Sequence, residues 1–408
     1  MTARHARLLL LIAVCLVAAN MRLTIGSVGP LLDEIARDHG ASPAALGTLA
    51  AVPLITWGII SPFAHAVGAR LGLARTISWS LLVLAIGTVW RSLPGSPTNL
   101  WVGTIVIGAA LALGNVLMPA AIKRDFSDRV TPVIGVYTAL LSGSGAVAAG
   151  IAVPLSQLDT GDGTLGWRMA LMLLGVLTPV ALAVWMVATR GEDAVAATRY
   201  HPVPSTAPVV PQRLSRRMWR DRLAWLVAGY MGTQSAVFYM MATWVAPIET
   251  SMGRDPVLAG IDVMLFQLCG IIGSLTFPFI FRGRMRRILP VLVPLAMLLG
   301  AAGTILLPAA SLLWMICLGL ASGTSLSVAV SFTALRSRDT STASALSGMS
   351  QSIGYLIAAC GPILFGTLHD LTGAWLAPLG LLAVLALTQA AIGVPVARER
   401  FVLEPKQH

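Results

Sequence analysis

Twelve apolar runs, each long enough to cross a lipid bilayer as a helix, constrain this chain more than any other feature of its sequence. A helix rises about 1.5 Å per residue, so about 20 apolar residues span the roughly 30 Å hydrocarbon core of a membrane. The runs, numbered span 1 to span 12, cover residues 7–30, 43–67, 77–93, 99–122, 130–155, 167–189, 223–247, 257–281, 288–307, 311–335, 343–367 and 375–396. The sequence therefore predicts an all-α integral membrane protein with 12 transmembrane helices.

The composition agrees with placement in lipid. Hydrophobic residues make up 56% of the 408 residues and charged residues 11%, whereas a soluble domain carries about 25% charged residues. A net charge of +11 could suggest nucleic acid binding, but the basic residues lie between apolar runs rather than in one patch. We therefore expect the lipid bilayer as a partner and no nucleic acid.

Basic residues are distributed unevenly between the two sides of the predicted helices. The two chain ends and the even-numbered connections hold 23 of the 28 Lys and Arg residues. The odd-numbered connections hold four, Arg37, Arg91, Arg168 and Arg254, and the last one, Arg22, lies inside span 1. Because cytoplasmic loops carry the excess of Lys and Arg, we predict that both termini are cytoplasmic.

The two halves of the chain repeat a short pattern. Gly and Pro recur as G-x-x-P-x-x-x-G at 40–47, where span 2 begins, and at 253–260, where span 8 begins, an offset of 213 residues. The polar stretch 190–222 is rich in Pro and Arg and is interpreted as a cytoplasmic linker. We predict an N-terminal six-helix bundle over 1–189 and a C-terminal one over 223–408.

Three stretches carry patterns of a known family. Span 1 contains NMR at 20–22, and SVGPLL at 27–32 begins within it. Span 4 contains ALGNVLMP at 112–119, followed by IKR at 122–124. Span 11 contains LSGMSQSIGY at 346–355, continuing through AACGP at 358–362 towards His369-Asp370. These stretches resemble the cyanate porter family of the major facilitator superfamily, which includes cyanate and 2-nitroimidazole transporters. The likeness covers essentially the whole chain and is closest to the 2-nitroimidazole exporter type.

This resemblance implies the major facilitator fold, with two pseudo-symmetric six-helix bundles around a midplane cavity. It also implies a monomeric secondary transporter in a bacterial inner membrane, which moves a small-molecule substrate by alternating access and needs no cofactor. The resemblance leaves open whether protons are the coupling ion. Span 5 carries Gly143-Ser144-Gly145 where drug–proton antiporters carry a Gly-Pro pair, and this difference disfavours antiport.

Arg22 is the strongest candidate for a site residue. It lies about fifteen residues into span 1, near mid-depth, where a charge costs roughly 2.5–3.5 kcal/mol. A guanidinium there cannot deprotonate, so it must face a cavity, an acid or an anionic ligand. We interpret Arg22 as an anchor for an anion or nitro group, with a structural Arg bonded to carbonyls as the alternative. Ala18 and Gly26 share its helix face and leave room for a substrate or for a close helix contact.

Asp262 is the only acidic residue in the sequence that lies well inside a predicted span. It lies about five residues from the outer end of span 8. One alternative is a solvated residue near the outer mouth. The others are a coupling or gate residue that takes a proton, partners Arg22 or holds an outer gate.

Polar and aromatic residues on single helix faces are the remaining candidates. Two trios at i, i+4 and i+8 each lie on one helix face: Tyr230, Gln234 and Phe238 in span 7, and Ser347, Gln351 and Tyr355 in span 11. Buried Gln needs hydrogen-bond partners. Each trio either lines the cavity or joins helices. The predicted substrate-binding residues besides Arg22 are Asn20, Asn115, Tyr230, Gln234, Phe238, Tyr239, Gln267, Gln351 and Tyr355.

Three functions compete at this stage. The first is a transporter for a small anionic, weakly acidic or nitro-bearing solute, since a fixed positive charge disfavours cationic drugs. The second is a broad-specificity drug exporter that works as a proton antiporter. The third is an intramembrane enzyme or sensor, which would need a clustered nucleophile, acid pair or metal set, and the sequence shows none. We therefore predict a transporter, without a metal site and without catalytic residues.

Overall fold

The computed structural model describes residues 3–126, 129–161, 163–190 and 217–404. Within these ranges the chain is all-α, and the extended pairing is limited to one bridge between Asp159 and Thr164. Fourteen α-helices, α1 to α14, occupy the described ranges: Ala3–Gly26, Leu32–His39, Pro43–Leu71, Leu73–Ser92, Thr98–Asp125, Val130–Ser156, Gly166–Leu174, Leu177–Ala188, Arg222–Ser251, Pro256–Ile280, Met285–Leu306, Ser311–Leu335, Thr340–Thr372 and Leu376–Val396.

Eleven helical segments of the described chain are long and apolar enough to cross a membrane. They coincide with all the predicted spans except span 7. Span 7 corresponds to α9, which has 30 residues but carries polar side chains such as Thr233 and Gln234, so it is less apolar than the others. The predicted fold class is confirmed.

Two of the predicted spans are not continuous helices. Span 1 ends as an α-helix at Gly26, passes through a 3₁₀ turn at Gly29–Leu31 and resumes as the short polar helix α2. Pro30 has no N–H with which to continue the hydrogen-bond ladder of α1. Span 6 is divided into α7 and α8, with Gly175 and Val176 between them.

The described helices fall into two compact units. The first contains Met1–Ser42, Thr48–His201 and Gly253–Gln267, and the second contains Pro43–Gly47, Pro202–Met252 and Leu268–His408. Within the first unit α1 packs against α6 and α8, and α4 packs against α5. Within the second unit α9 packs against α13 and α14, and α11 packs against α12 and α14. The predicted bundles 1–189 and 223–408 stay a prediction, and most of the predicted linker 190–222 lies outside the described residues.

Glycine lets α1 and α6 approach closely in the first unit. A Cβ atom on Gly26 would lie 2.7 Å from the carbonyl oxygen of Gly145, closer than such atoms can approach. In lipid, helices associate through packing rather than hydrophobic exclusion, so small residues at a crossing bring the backbones together. Of the two uses proposed for Gly26, the structure shows the close helix contact.

The segment after α14 forms a hydrogen bond with Asp221, the residue that precedes α9. Asp221 caps α9, because its Oδ1 accepts from the backbone N–H groups of Leu223 and Ala224 at 2.7 and 3.1 Å. Its Oδ2 accepts from the N–H of Leu403 at 2.5 Å. The next residue, Glu404, forms an ion pair with Arg338 at 2.6 Å. The Asp221 carboxylate therefore joins two parts of the chain that are far apart in sequence.

Candidate functional site

Arg22 lies in α1, half-buried, four residues before that helix ends. Its guanidinium carbon is 5.4 Å from the ring centroid of Trp57 in α3, within the range of a cation–π contact. Trp57 is only 3% exposed, so its ring is fixed by packing. Tyr137 in α6 also lies within electrostatic range of Arg22, and its hydroxyl donates to the sulfur of Met21 at 3.7 Å.

Arg22 makes no hydrogen bond or ion pair with the residues that the structure describes. The structural alternative for Arg22 requires carbonyl oxygens as acceptors, and no described residue supplies one. A guanidinium carries five N–H donors and no acceptor. The first unit therefore contains a charged, half-buried donor group whose hydrogen-bonding capacity is not used by the described chain.

Gly145 in α6 lies beside Arg22 and Gln267. A Cβ atom at position 145 would be 3.5 Å from the Cβ of Arg22 and 3.1 Å from the Oε1 of Gln267. Gln267 also donates from Nε2 to the Gly145 carbonyl at 3.4 Å. The glycine in the Gly143-Ser144-Gly145 stretch thus admits α1 on one side and the Gln267 side chain on the other.

The two predicted asparagines occupy different surroundings. Asn20 is fully buried, accepts from the Thr178 hydroxyl at 3.0 Å and donates to the Leu16 carbonyl at 2.8 Å. The bond from Thr178 joins α8 to α1, and the bond to Leu16 lies within α1. Asn115 in α5 is half-buried and makes no hydrogen bond to the described chain, so its amide is available to a ligand.

Tyr230 in α9 lies in the interior of the second unit. Its hydroxyl donates to the carbonyl oxygen of Pro290 at 3.0 Å, and its ring meets Phe332 edge-on at 5.4 Å. In a regular helix the Pro290 carbonyl would accept from the N–H of residue 294, but that residue is Pro294 and has none. Tyr230 thus supplies the donor that Pro294 lacks, a contact of the helix-joining kind.

The other candidates in α9 differ in burial. Gln234 is buried, and its Oε1 accepts from the Ser235 hydroxyl at 3.0 Å. Phe238 and Tyr239 are half-buried, with their rings edge-on at 5.0 Å. The binding roles of Gln234, Phe238 and Tyr239 stay predictions.

In α13 the predicted face is more open. Gln351 is exposed and donates to the Ser347 hydroxyl at 3.1 Å, and Tyr355 is half-buried one turn further on. The spacing of this trio therefore places it on one face, as the sequence predicts. Its role in binding stays a prediction.

Asp262 in α10 belongs to the first unit and is 2% exposed. Its Oδ2 lies 2.5 Å from an Nη2 atom of Arg254. The alternative of a solvated residue is therefore wrong, because the helix turns this carboxylate inward. Its partner is Arg254, a nearby residue of the same segment, and not Arg22.

Sequence reasoning counted Arg91, near the end of span 3, with the connection that follows, and this assignment is wrong. Arg91 lies in the last turn of α4, is 1% exposed and donates from Nη1 to the Thr24 carbonyl at 2.8 Å. Glu249 was also missed: α9 continues past residue 247, and Glu249 is 2% exposed. An acid directly after the apolar pair Pro247-Ile248 was the signal that could have identified it.

A cavity of about 470 Å³ lies at the surface of the first unit, between α2, α6 and α7. Its lining residues are Glu34, Arg37, Asp38, Ser156, Gln157, Thr164 and Trp167. Arg168 pairs with Asp38 at 2.6 Å beside it. None of the residues predicted to bind substrate lines this cavity.

A family model and several known proteins match most of this chain. The model of the Major Facilitator Superfamily matches residues 10–359. The 2-nitroimidazole transporter of Escherichia coli (strain K12) is 35% identical over 97% of this chain and 96% of its own length. The cyanate transport protein CynX of the same organism is 28% identical over 90% and 91%, respectively.

Solved structures show the same fold. The crystal structure of a bacterial homolog to the human lysosomal transporter Spinster aligns over 96% of this chain and 94% of that one, with a TM-score of 0.76 at 14% identity. These relatives are transporters and not enzymes, and two of them carry the names of the family that the sequence motifs predicted. The chain belongs to the Major Facilitator Superfamily, with the resemblance to its cyanate porter branch confirmed.

Proposed function

We propose that this protein is a secondary active transporter that moves a small anionic, weakly acidic or nitro-bearing solute across a bacterial inner membrane by alternating access. Arg22 is the substrate anchor. The observation that carries the proposal is the half-buried Arg22 guanidinium, which has no hydrogen bond or ion pair to a described residue. The names of the two relatives, a 2-nitroimidazole transporter and a cyanate transport protein, support a compact, electron-rich substrate.

The charge of Arg22 determines which solutes gain from binding. A charge at membrane depth is costly, and an anion offsets that cost through charge-assisted hydrogen bonds. A cationic drug would meet repulsion at the same place. The site therefore favours a small anion over the substrates of a broad-specificity drug exporter.

The test compares purified wild-type protein with Arg22→Lys and Arg22→Ala. Melting temperatures are measured with and without cyanate, nitrate, 2-nitroimidazole and benzoate. Arg284→Ala, which removes an exposed Arg of the second unit, is the matched control and should respond as wild type does.

We expect at least one of these ligands to raise the melting temperature of the wild type. Arg22→Lys should keep a weaker response, since Lys retains the charge but lacks the planar fork. Arg22→Ala should fold, because it removes a charge from lipid depth, yet show no response. A response of Arg22→Ala equal to that of wild type would overturn the proposal.

A further inference from the structure

We propose that Trp57 determines specificity at this site: it holds the Arg22 guanidinium so that planar anions with two accepting oxygens bind better than linear anions. This inference rests on the proposed anchoring by Arg22. Trp57 is a positioning residue here, because it acts through Arg22.

The tip of the Arg22 side chain contacts an aromatic ring. Near the backbone the side chain has room, since a Cβ atom added at Gly145 of α6 would lie at an ordinary 3.5 Å from the Arg22 Cβ. At the tip, the guanidinium carbon lies over the Trp57 ring at 5.4 Å. Because no hydrogen bond to a described residue fixes the tip, the ring supplies its directional contact.

A held guanidinium discriminates between ligand shapes. Its five N–H groups point outward in one plane, and none of them donates to a described residue. The edge therefore stays open to a carboxylate, nitrate or nitro group, which accepts two parallel N–H···O bonds. A linear anion such as cyanate or azide presents one terminal atom and gains little from a fixed plane.

Burial of Trp57 makes the ring a stable support. At 3% exposure, the indole cannot turn away without disturbing its neighbours. Phe keeps an aromatic face but is the weaker cation–π partner. Leu keeps apolar volume and removes the face altogether. The series Trp, Phe, Leu thus changes the support of the guanidinium in steps while leaving Arg22 in place.

The experiment titrates wild type, Trp57→Phe and Trp57→Leu with nitrate, benzoate, cyanate and azide. Dissociation constants are taken from ligand-induced thermal stabilisation. Trp79→Leu, which replaces an exposed Trp of α4, is the matched control. The ratio of the nitrate and cyanate constants within one preparation is the deciding quantity, since it does not depend on the fraction of protein that is correctly folded.

In Trp57→Leu we expect nitrate and benzoate to bind about tenfold more weakly, as the loss of one desolvated cation–π contact implies. Cyanate and azide should weaken less than about twofold, with Trp57→Phe between wild type and Leu. An unchanged nitrate-to-cyanate ratio in both variants would overturn the inference. If Arg22→Ala then still lost all binding, the proposed function would stand alone, whereas a wild type that binds neither the four anions nor 2-nitroimidazole would overturn both.

Discussion

Arg91, in the last turn of α4, donates a hydrogen bond from Nη1 to the carbonyl oxygen of Thr24 near the end of α1, 2.8 Å away. The last carbonyls of a helix have no partner within it. Here Leu23 accepts from the Ser27 hydroxyl at 3.2 Å, and Ile25 accepts from the N–H of Val28 at 3.4 Å. Arg91 thus caps the end of α1 from a position 67 residues further along the chain, and its charge suits the negative end of the helix dipole.

Two substitutions of Arg91 should distinguish the stability that its hydrogen bond to Thr24 contributes from the stability that burial of its charge costs. Its Nε and Nη2 atoms are buried without partners among the described residues, so the charge is poorly compensated. Arg91→Met loses a hydrogen bond worth about 1 kcal/mol but relieves that desolvation, and its melting temperature should stay close to that of wild type. Arg91→Ala also leaves a cavity and should lose roughly 2–4 kcal/mol. A Met variant as unstable as the Ala variant would contradict this.

The ion pair between Asp262 and Arg254 should be energetically coupled. Asp262→Asn leaves a partly buried guanidinium without its charge partner, and Arg254→Gln leaves a buried carboxylate. The double variant should therefore be more stable than the sum of the two single effects predicts. We expect a coupling of about 1–3 kcal/mol in a double-mutant cycle, measured by thermal unfolding in detergent. Additive effects would show that the pair contributes nothing.

The same Asp262→Asn protein tests the proposed role in proton coupling. If protons drive transport through Asp262, this variant should lose its dependence on a pH gradient while still exchanging substrate for substrate. Proteoliposomes with and without an imposed gradient measure the two activities. Gradient-driven transport that survives in Asp262→Asn would leave the carboxylate with its ion-pair role only.

Tyr230 should stabilise the second unit without determining affinity. Tyr230→Phe removes the donor to the Pro290 carbonyl and should cost about 1–2 kcal/mol, while ligand-induced stabilisation keeps its wild-type size. Pro294→Ala restores a backbone N–H that can reach Pro290. The cost of Tyr230→Phe should therefore shrink in the Pro294→Ala background. An equal cost in both backgrounds would show that the hydroxyl does not replace the missing N–H.

Labelling tests the predicted orientation of the membrane-spanning helices. The four native cysteines, Cys15, Cys269, Cys317 and Cys360, are first replaced by Ala. A single Cys near Asp159 should then react with an impermeant thiol reagent in intact cells. A single Cys between residues 191 and 216 should react only after the membrane is opened. The opposite pattern would contradict the distribution of basic residues.

The number and position of the helices could be predicted because lipid imposes a length and an apolar composition on each span. The break after Gly26 was not predicted, because Pro30 in an apolar run does not by itself distinguish a kink from the end of a helix. The burial of Arg91 depends on which way the last turn of α4 faces, which only packing decides. The spacing of Pro290 and Pro294 shows in the sequence that the Pro290 carbonyl lacks its usual backbone donor. Tyr230, which supplies the replacement, lies 60 residues away, and only packing brings it there.

The double contact of Asp221 has a consequence for how the polypeptide matures. One oxygen of its carboxylate caps α9 as soon as that helix forms, but the other bonds to Leu403, 182 residues further along. A ribosome must therefore deliver five more membrane-spanning segments before the second bond can form. This junction between the start of α9 and the end of the described chain can therefore form only after synthesis has reached Leu403.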